Sequence, residues 1–191
     1  KKPKAPPAGH VGAAEAPAAP MVKAPFPHKV SDLTPDKSMS LKGMHTKAVY
    51  TAPDGSKWLF KPQDEFMAYG DQVASDLAQA LGHEAAETYV VEVGGKLGSI
   101  QRMFPIDGDL SGRPLTALGA DDVHRIQKEG IFDWLIGNHD GHEANMVYSD
   151  GKLIGIDKGQ LFKFYDADRL HWDYNPNHGF GVRGVHNKLL E

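Results

Sequence analysis

The chain has no cysteine, which excludes a disulfide framework and any thiolate chemistry. It contains no apolar run near the roughly 18 residues that a spanning helix needs, and no signal-peptide pattern at its start. It also lacks a basic excess: 21 Lys and Arg stand against 25 Asp and Glu, for a formal net charge of -4. General nucleic-acid binders and membrane-surface proteins want a basic face, so neither class is expected. The same absences are compatible with a cytoplasmic protein. What is present suits one domain or one two-lobed unit, with 40% hydrophobic residues among 191 to build its core. The sequence opens on Lys1 rather than Met, which is compatible with a segment of a longer parent chain.

Residues 1–30 are dominated by a Pro/Ala-rich tract. Proline at that density removes backbone donors and favours extended conformations, and alanine offers little to bury. A flexible tail or linker is expected there, with a Pro-rich docking ligand as the sharper alternative.

Beyond it, residues 46–51 and 56–61 read as two strands around the turn Pro53-Asp54-Gly55. Period two puts Trp58 and Phe60 on one face, and Leu59 with Lys61 on the other. A helix is expected over 66–81, stopped by Gly82, with Phe66, Met67, Val73, Ala74, Leu77, Ala78 and Leu81 as its apolar stripe. Asp71 lies closest to the edge of that stripe, while Glu65 and Asp76 point further away. Residues 88–93 and 97–103 form a second hairpin across Gly94-Gly95. A second helix is expected over 120–137, with Asp121 and Asp122 in its first turn, where carboxylates suit the dipole. Val123, Ile126, Ile131, Trp134 and Leu135 supply its apolar face.

That helix delivers the chain into its most informative stretch, residues 138–159, which offers Asp140, His142 and Asn145 in a tight loop. Met146-Val147-Tyr148 and Leu153-Ile154-Gly155-Ile156 then read as short strands joined at Ser149-Asp150-Gly151, with Asp157-Lys158-Gly159 following. A hairpin this short brings Asn145 at one foot near Asp157 at the other. An amide oxygen and a carboxylate make a hard oxygen site suited to Mg²⁺. Asp140 is placed to orient or deprotonate a nucleophile beside that metal, and positioning with charge neutralisation is what phosphoryl transfer needs.

D-x-H-x-x-N from Asp140 to Asn145, followed by Ile156-Asp157-Lys158-Gly159, resembles the catalytic and metal loops of the phosphatidylinositol 3/4-kinase-like and HipA-like atypical kinases. Gly141 stands where that family usually has Arg, and Lys158 where it usually has Phe. The resemblance implies a two-lobed, protein-kinase-like α+β fold, with an N-lobe over 31–105 and a small C-lobe over 106–191. It implies an ATP- and Mg²⁺-dependent phosphotransferase acting on a hydroxyl-bearing acceptor, whether protein or small molecule. Asn145 and Asp157 would hold the metal, and Asp140, helped by His142, would serve the acceptor. Lys61 would hold the phosphates, paired by Asp71. Gly43 would belong to the loop over the phosphates, although no G-x-G-x-x-G or Walker pattern is present. Gln101 and Met103 would lie at the hinge that meets the adenine.

Two rival readings remain: a kinase-fold nucleotidyl transferase moving AMP with the same metal ligands, and a non-catalytic nucleotide-binding or structural module. The second is suggested by Gly141, Lys158 and the little chain left after Gly159. His139, His142, His171, His178 and His186 invite a zinc-hydrolase reading, but zinc wants three protein ligands in defined geometry and the sequence identifies no third.

Overall fold

The computed structural model describes residues 23–39, 46–138 and 140–162. Its larger sheet is antiparallel throughout, with five strands in the order β1-β2-β3-β5-β4. These are β1 (Thr34–Pro35), β2 (Ala48–Thr51), β3 (Lys57–Pro62), β4 (Thr88–Val93) and β5 (Lys96–Arg102). The β2–β3 hairpin turns where expected. Asp54 caps the turn by accepting from both the backbone N–H of Ser56 (2.9 Å) and its hydroxyl (2.6 Å). The alternation along β3 has the consequence read from period two. Trp58 and Phe60 are buried in a core with Ile100, Val91, Leu33 and Ala52, and Lys61 faces the other way.

The helix α1 (Glu65–Ala80) packs on this sheet against β4 and β5. Asp64 caps its start by accepting from the backbone N–H of Met67 at 2.9 Å. Its ends match the expectation to within a residue, but its buried face does so only in part, at Ala74 and Ala78. The buried residues are Ala68, Gly70, Asp71, Ala74, Ser75 and Ala78. Phe66, Tyr69, Val73 and Leu77, with Leu81 just beyond, stand exposed. Close approach to a sheet favours small side chains, so the stripe drawn through the largest apolar residues is rotated from the true one. On α2 (Ala120–Leu135) Ile126 is buried as expected together with Glu129, Phe132 and Asp133, while Ile131 and Leu135 are exposed.

A second, three-stranded antiparallel sheet joins β6 (Gly108–Asp109), β7 (Met146–Ser149) and β8 (Lys152–Gly155). It packs on α2 through Leu110, Ile126, Met146 and Leu153. Between the two lobes lies a third apolar group, made by Ala74 and Ala78 of α1, Phe132 and Ile136, and Leu161. The lobes are thus joined on one side by packing, which leaves a cleft where β3 and β5 face the β7–β8 hairpin.

The described part of the Pro/Ala-rich stretch belongs to the domain. Phe26 meets Trp58 edge-on with ring centroids 4.9 Å apart and Tyr89 at 5.5 Å. Lys23 donates to the Thr88 carbonyl at 2.7 Å, pairs with Asp76 and lies over the Tyr89 ring. Packing therefore begins by residue 23 rather than after residue 30, because one aromatic and one lysine late in the tract find partners that composition does not reveal. No helix among the described residues is long and apolar enough to cross a membrane.

Candidate active site in the cleft between the lobes

Lys61 is the penultimate residue of β3, its side chain is buried, and its ammonium lies 2.8 Å from Asp157 Oδ1 and 3.6 Å from Asp71 Oδ2. Burial alone would pull that ammonium down. Attraction from Asp71 and Asp157 outweighs it and holds Lys61 above the ordinary lysine value. Asp71 is the helix carboxylate expected to pair with Lys61. Its Oδ2 also accepts from Ser99 Oγ (2.7 Å) and Gln63 Nε2 (3.0 Å), while its buried Oδ1 has no hydrogen-bond partner among the described residues. Gly159 sits against that oxygen, and a Cβ there would come within 2.9 Å of it. The glycine of the I-D-x-G stretch is therefore needed for Asp71 to fit.

Asp157 takes a left-handed backbone, φ 59°, which an aspartate tolerates better than most residues. Its second oxygen lies 3.9 Å from the ammonium of Lys47. Lys47 was not singled out from the sequence, where a lysine at a strand start has no distinguishing neighbour; only the fold places it beside Lys61. Asn145 is buried at the opposite foot of the hairpin, its carbonyl accepting from the Ile156 N–H at 2.8 Å. Its side-chain amide donates to the Asp140 carbonyl at 2.8 Å, and no donor among the described residues is bonded to its amide oxygen. The expected approach of the Asn145 and Asp157 ends of the hairpin is thus present in the backbone.

Asp140 is half-buried. Its Oδ1 lies 3.6 Å from His142 Nε2, and a hydrogen bond reaches it from Gln160. Burial, reinforced by the Asp157 charge, pushes its carboxyl above the usual aspartate value, against the opposing effect of His142. The loop is shaped from within. Asn138 Oδ1 accepts from the Asp140 N–H (3.2 Å), and the Asp140 carbonyl accepts from the His142 N–H (2.9 Å).

The cleft has two adjoining hollows that share Lys47, Lys61 and Asp157. One, about 100 Å³, is walled by Leu59, Met103, Phe104, Ile106 and Ile156, with Gln101 at its edge. The other, about 210 Å³, is polar and reaches Asp140 and Gln160. At the apolar end, the Met103 N–H is bonded to the Lys57 carbonyl (2.9 Å) and the Arg102 N–H to the Glu87 carbonyl (2.8 Å). The sheet thus uses the donor expected of Met103, and among the described residues no backbone bond engages the next amide along, that of Phe104.

Lys61, Gln101, Met103, Asp140 and Asp157 line this cleft, whereas Asp71 meets it through Lys61, and His142 and Asn145 through Asp140. Gly43 lies outside the described residues, as do His139, His171, His178 and His186. Among the described residues no group of three or more His, Cys, Asp and Glu is placed to hold a metal ion, so the zinc reading gains no ligand set. Asp157 and Asn145 instead offer two hard oxygen donors, a set that fits Mg²⁺ completed by water and phosphate oxygens.

No protein-family model matches the chain, and no curated protein matches it significantly. Among solved structures it is similar to the crystal structure of a Helicobacter pylori proinflammatory kinase, CtkA. That match has a TM-score of 0.56 at 16% identity, over 71% of this chain and 60% of that one. The chain therefore spans three-fifths of the length of that kinase. A MAP kinase from Leishmania major aligns with a TM-score of 0.32 at 13% identity, over 70% of this chain and 48% of that one, too weakly to carry an argument. The architecture is a two-lobed, protein-kinase-like α+β fold with a small second lobe.

Proposed function

We propose that the protein is an ATP- and Mg²⁺-dependent phosphotransferase that moves the γ-phosphate to a hydroxyl-bearing acceptor, a protein or a small molecule. The observation that carries this reading is the continuity of the cleft: an apolar hollow opens past Lys61, Lys47 and Asp157 into a polar one ending at Asp140. The adenine fits between Leu59 and Ile156, with the Phe104 N–H and the Met103 carbonyl at its edge. The phosphates then fall between the two lysines, and Asp71 keeps the Lys61 ammonium aimed there. Asp157 and Asn145 would hold Mg²⁺, which supplies charge neutralisation on the phosphates when bound. Asp140 takes the proton of the acceptor hydroxyl. Its raised basicity favours that role, and His142 beside it supplies a second polar contact. Within the kinases, the D-x-H-x-x-N and I-D-x-G spacing supports the phosphatidylinositol 3/4-kinase-like and HipA-like kind.

The test is incubation with Mg²⁺ and ATP labelled at the α or the γ position, with transfer to the protein itself, to added hydroxyl acceptors and to water all measured. The γ label should move and the α label should not. Transfer of the α label would establish the nucleotidyl-transferase alternative. Nucleotide binding without transfer of either label would leave a binding module.

A further inference from the structure

The Asp157 carboxylate points into the cleft from a left-handed backbone position, so something must hold the loop there. The next side chain does so from the other side. Lys158 is buried, and its ammonium lies 2.7 Å from Glu129 Oε1 and 2.7 Å from Asp133 Oδ1. Glu129 and Asp133 are four residues apart on α2 and so share one face. Asp133 also accepts from Asn138 Nδ2 at 2.9 Å, and Asn138 in turn accepts from the Asp140 N–H. Glu129 reaches His83 Nδ1 at 3.3 Å. Burial raises the Glu129 carboxyl, but Lys158 and His83 outweigh it and hold the group down at about 2.

One further contact shows how closely the hairpin and helix are fitted. A Cβ at Gly155, the last residue of β8, would stand 1.9 Å from Glu129 Oε1, so any side chain there would expel the carboxylate. The β8 strand, the loop after it and the loop before Asp140 therefore all converge on two carboxylates of α2.

We propose that Lys158 is a positioning residue for Asp157: its ammonium, seated between Glu129 and Asp133, pins the loop at 156–159 to α2 and so aims the Asp157 carboxylate into the cleft. The inference rests on the reading of Asp157 given above. A buried ion pair replaced by apolar or neutral groups of similar volume often costs no stability. What the charged set adds is a fixed geometry, because an ammonium cannot slide away from two carboxylates without stranding them, whereas an apolar side chain can.

The test uses the triple variant Lys158→Met/Glu129→Gln/Asp133→Asn, which removes the charges together and leaves no stranded partner. Two readouts are taken beside its melting temperature. The first is amide hydrogen exchange at Ile156 and Leu161, whose N–H groups are bonded to the Asn145 and Lys158 carbonyls. The second is the Mg²⁺ concentration giving half-maximal ATP turnover. The expected result is a melting temperature near that of the wild type, exchange at those amides at least tenfold faster than wild type with β4 and β5 unchanged, and half-saturating Mg²⁺ at least tenfold higher. Wild-type exchange at both amides in the folded triple variant would overturn the proposal. Should the triple variant fail to fold, Glu129→Gln alone is read the same way. A rise in exchange confined to 156–161 supports the role, and an even rise throughout or none overturns it. If the wild type turns over no ATP, the reading of Asp157 fails, and the exchange comparison still decides whether Lys158 pins the loop.

Discussion

Lys61 has two carboxylates within reach, and they are not equivalent. Asp71 is buried and tied to Ser99 and Gln63, whereas Asp157 is partly open to solvent and shared with Lys47. Removing the lysine charge therefore leaves Asp71 as a buried carboxylate without its cation. Breaking one side of such a pair typically costs about 3 kcal/mol or more. Lys61→Met should accordingly lower the unfolding free energy by about 3 kcal/mol in urea titration, as well as weaken ATP binding. Lys61→Met/Asp71→Asn should recover most of the stability but none of the binding. A lysine serving only the fold would show the recovery without any loss of binding. Asp140 makes the opposite case. Its folded carboxyl is raised, so the stability it contributes is present below its unfolded pKa and is lost as pH rises through the folded value. Asp140→Asn should therefore melt no lower than wild type at pH 7, with any advantage shrinking in acid. Nucleotide binding should persist while transfer falls by about 100-fold or more. Under the proposed function the ionised form does the work, so the acid limb of kcat/KM in the wild type should lie above the usual aspartate range. A destabilised Asp140→Asn that transfers normally would assign the residue to the fold instead.

At the scale of elements, hairpins and helix ends were legible from the sequence, and helix faces only in part. The turns at Asp54-Gly55 and Gly94-Gly95 and the stop at Gly82 are local chemistry, so strands β3, β4 and β5 and both helices lie within about two residues of expectation. Which side of α1 is buried depends on how near the sheet approaches, a tertiary fact. It kept Ala74 and Ala78 of the expected stripe but selected Ala68 and Ser75 over Phe66, Val73 and Leu77. The cleft divides the same way. Asp140, Asn145 and Asp157 share one short stretch, so spacing exposed them. Lys47, and the seating of Lys158 between Glu129 and Asp133, depend on contacts between distant segments. The segment before β1 gives a test at this level. Phe26 is partly buried against Trp58 and Tyr89, so Phe26→Ala should cost about 2 kcal/mol, somewhat less than for a fully buried phenylalanine. For a chain of this size that lowers the melting temperature by roughly 4–8 °C. An unchanged Tm would mean that residues 23–30 add no stability to the sheet.

Across the whole molecule, the cleft draws its two sets of candidate site residues from different lobes. Lys47 and Lys61 come from the five-stranded sheet, whereas Asn145, Asp157 and Asp140 come from the hairpin lobe and its approach. One member joins the two sets directly: Asp157 lies between the two lysines and pairs with both. A nucleotide triphosphate entering there gives the lysines new anionic partners and leaves Asp157 facing phosphate oxygens, a repulsion that a divalent cation would relieve. ATP and Mg²⁺ should therefore stabilise the protein jointly and not additively. With ligand at about 100 times its Kd the folded state gains about 2.7 kcal/mol, which at this size is a rise of roughly 5–10 °C in Tm. ATP with chelator, or Mg²⁺ alone, should give a small fraction of that rise, and adenosine should be nearly insensitive to Mg²⁺. Asp157→Ala separates the components. It removes the carboxylate that opposes the phosphates, so ATP without metal should stabilise this variant at least as well as wild type, while the extra rise on adding Mg²⁺ disappears. Differential scanning calorimetry on both proteins, with and without EDTA, makes the measurement. A Mg²⁺ increment of equal size in Asp157→Ala would remove Asp157 from the metal site, and no shift with ATP and Mg²⁺ at millimolar concentration would remove the nucleotide from the cleft.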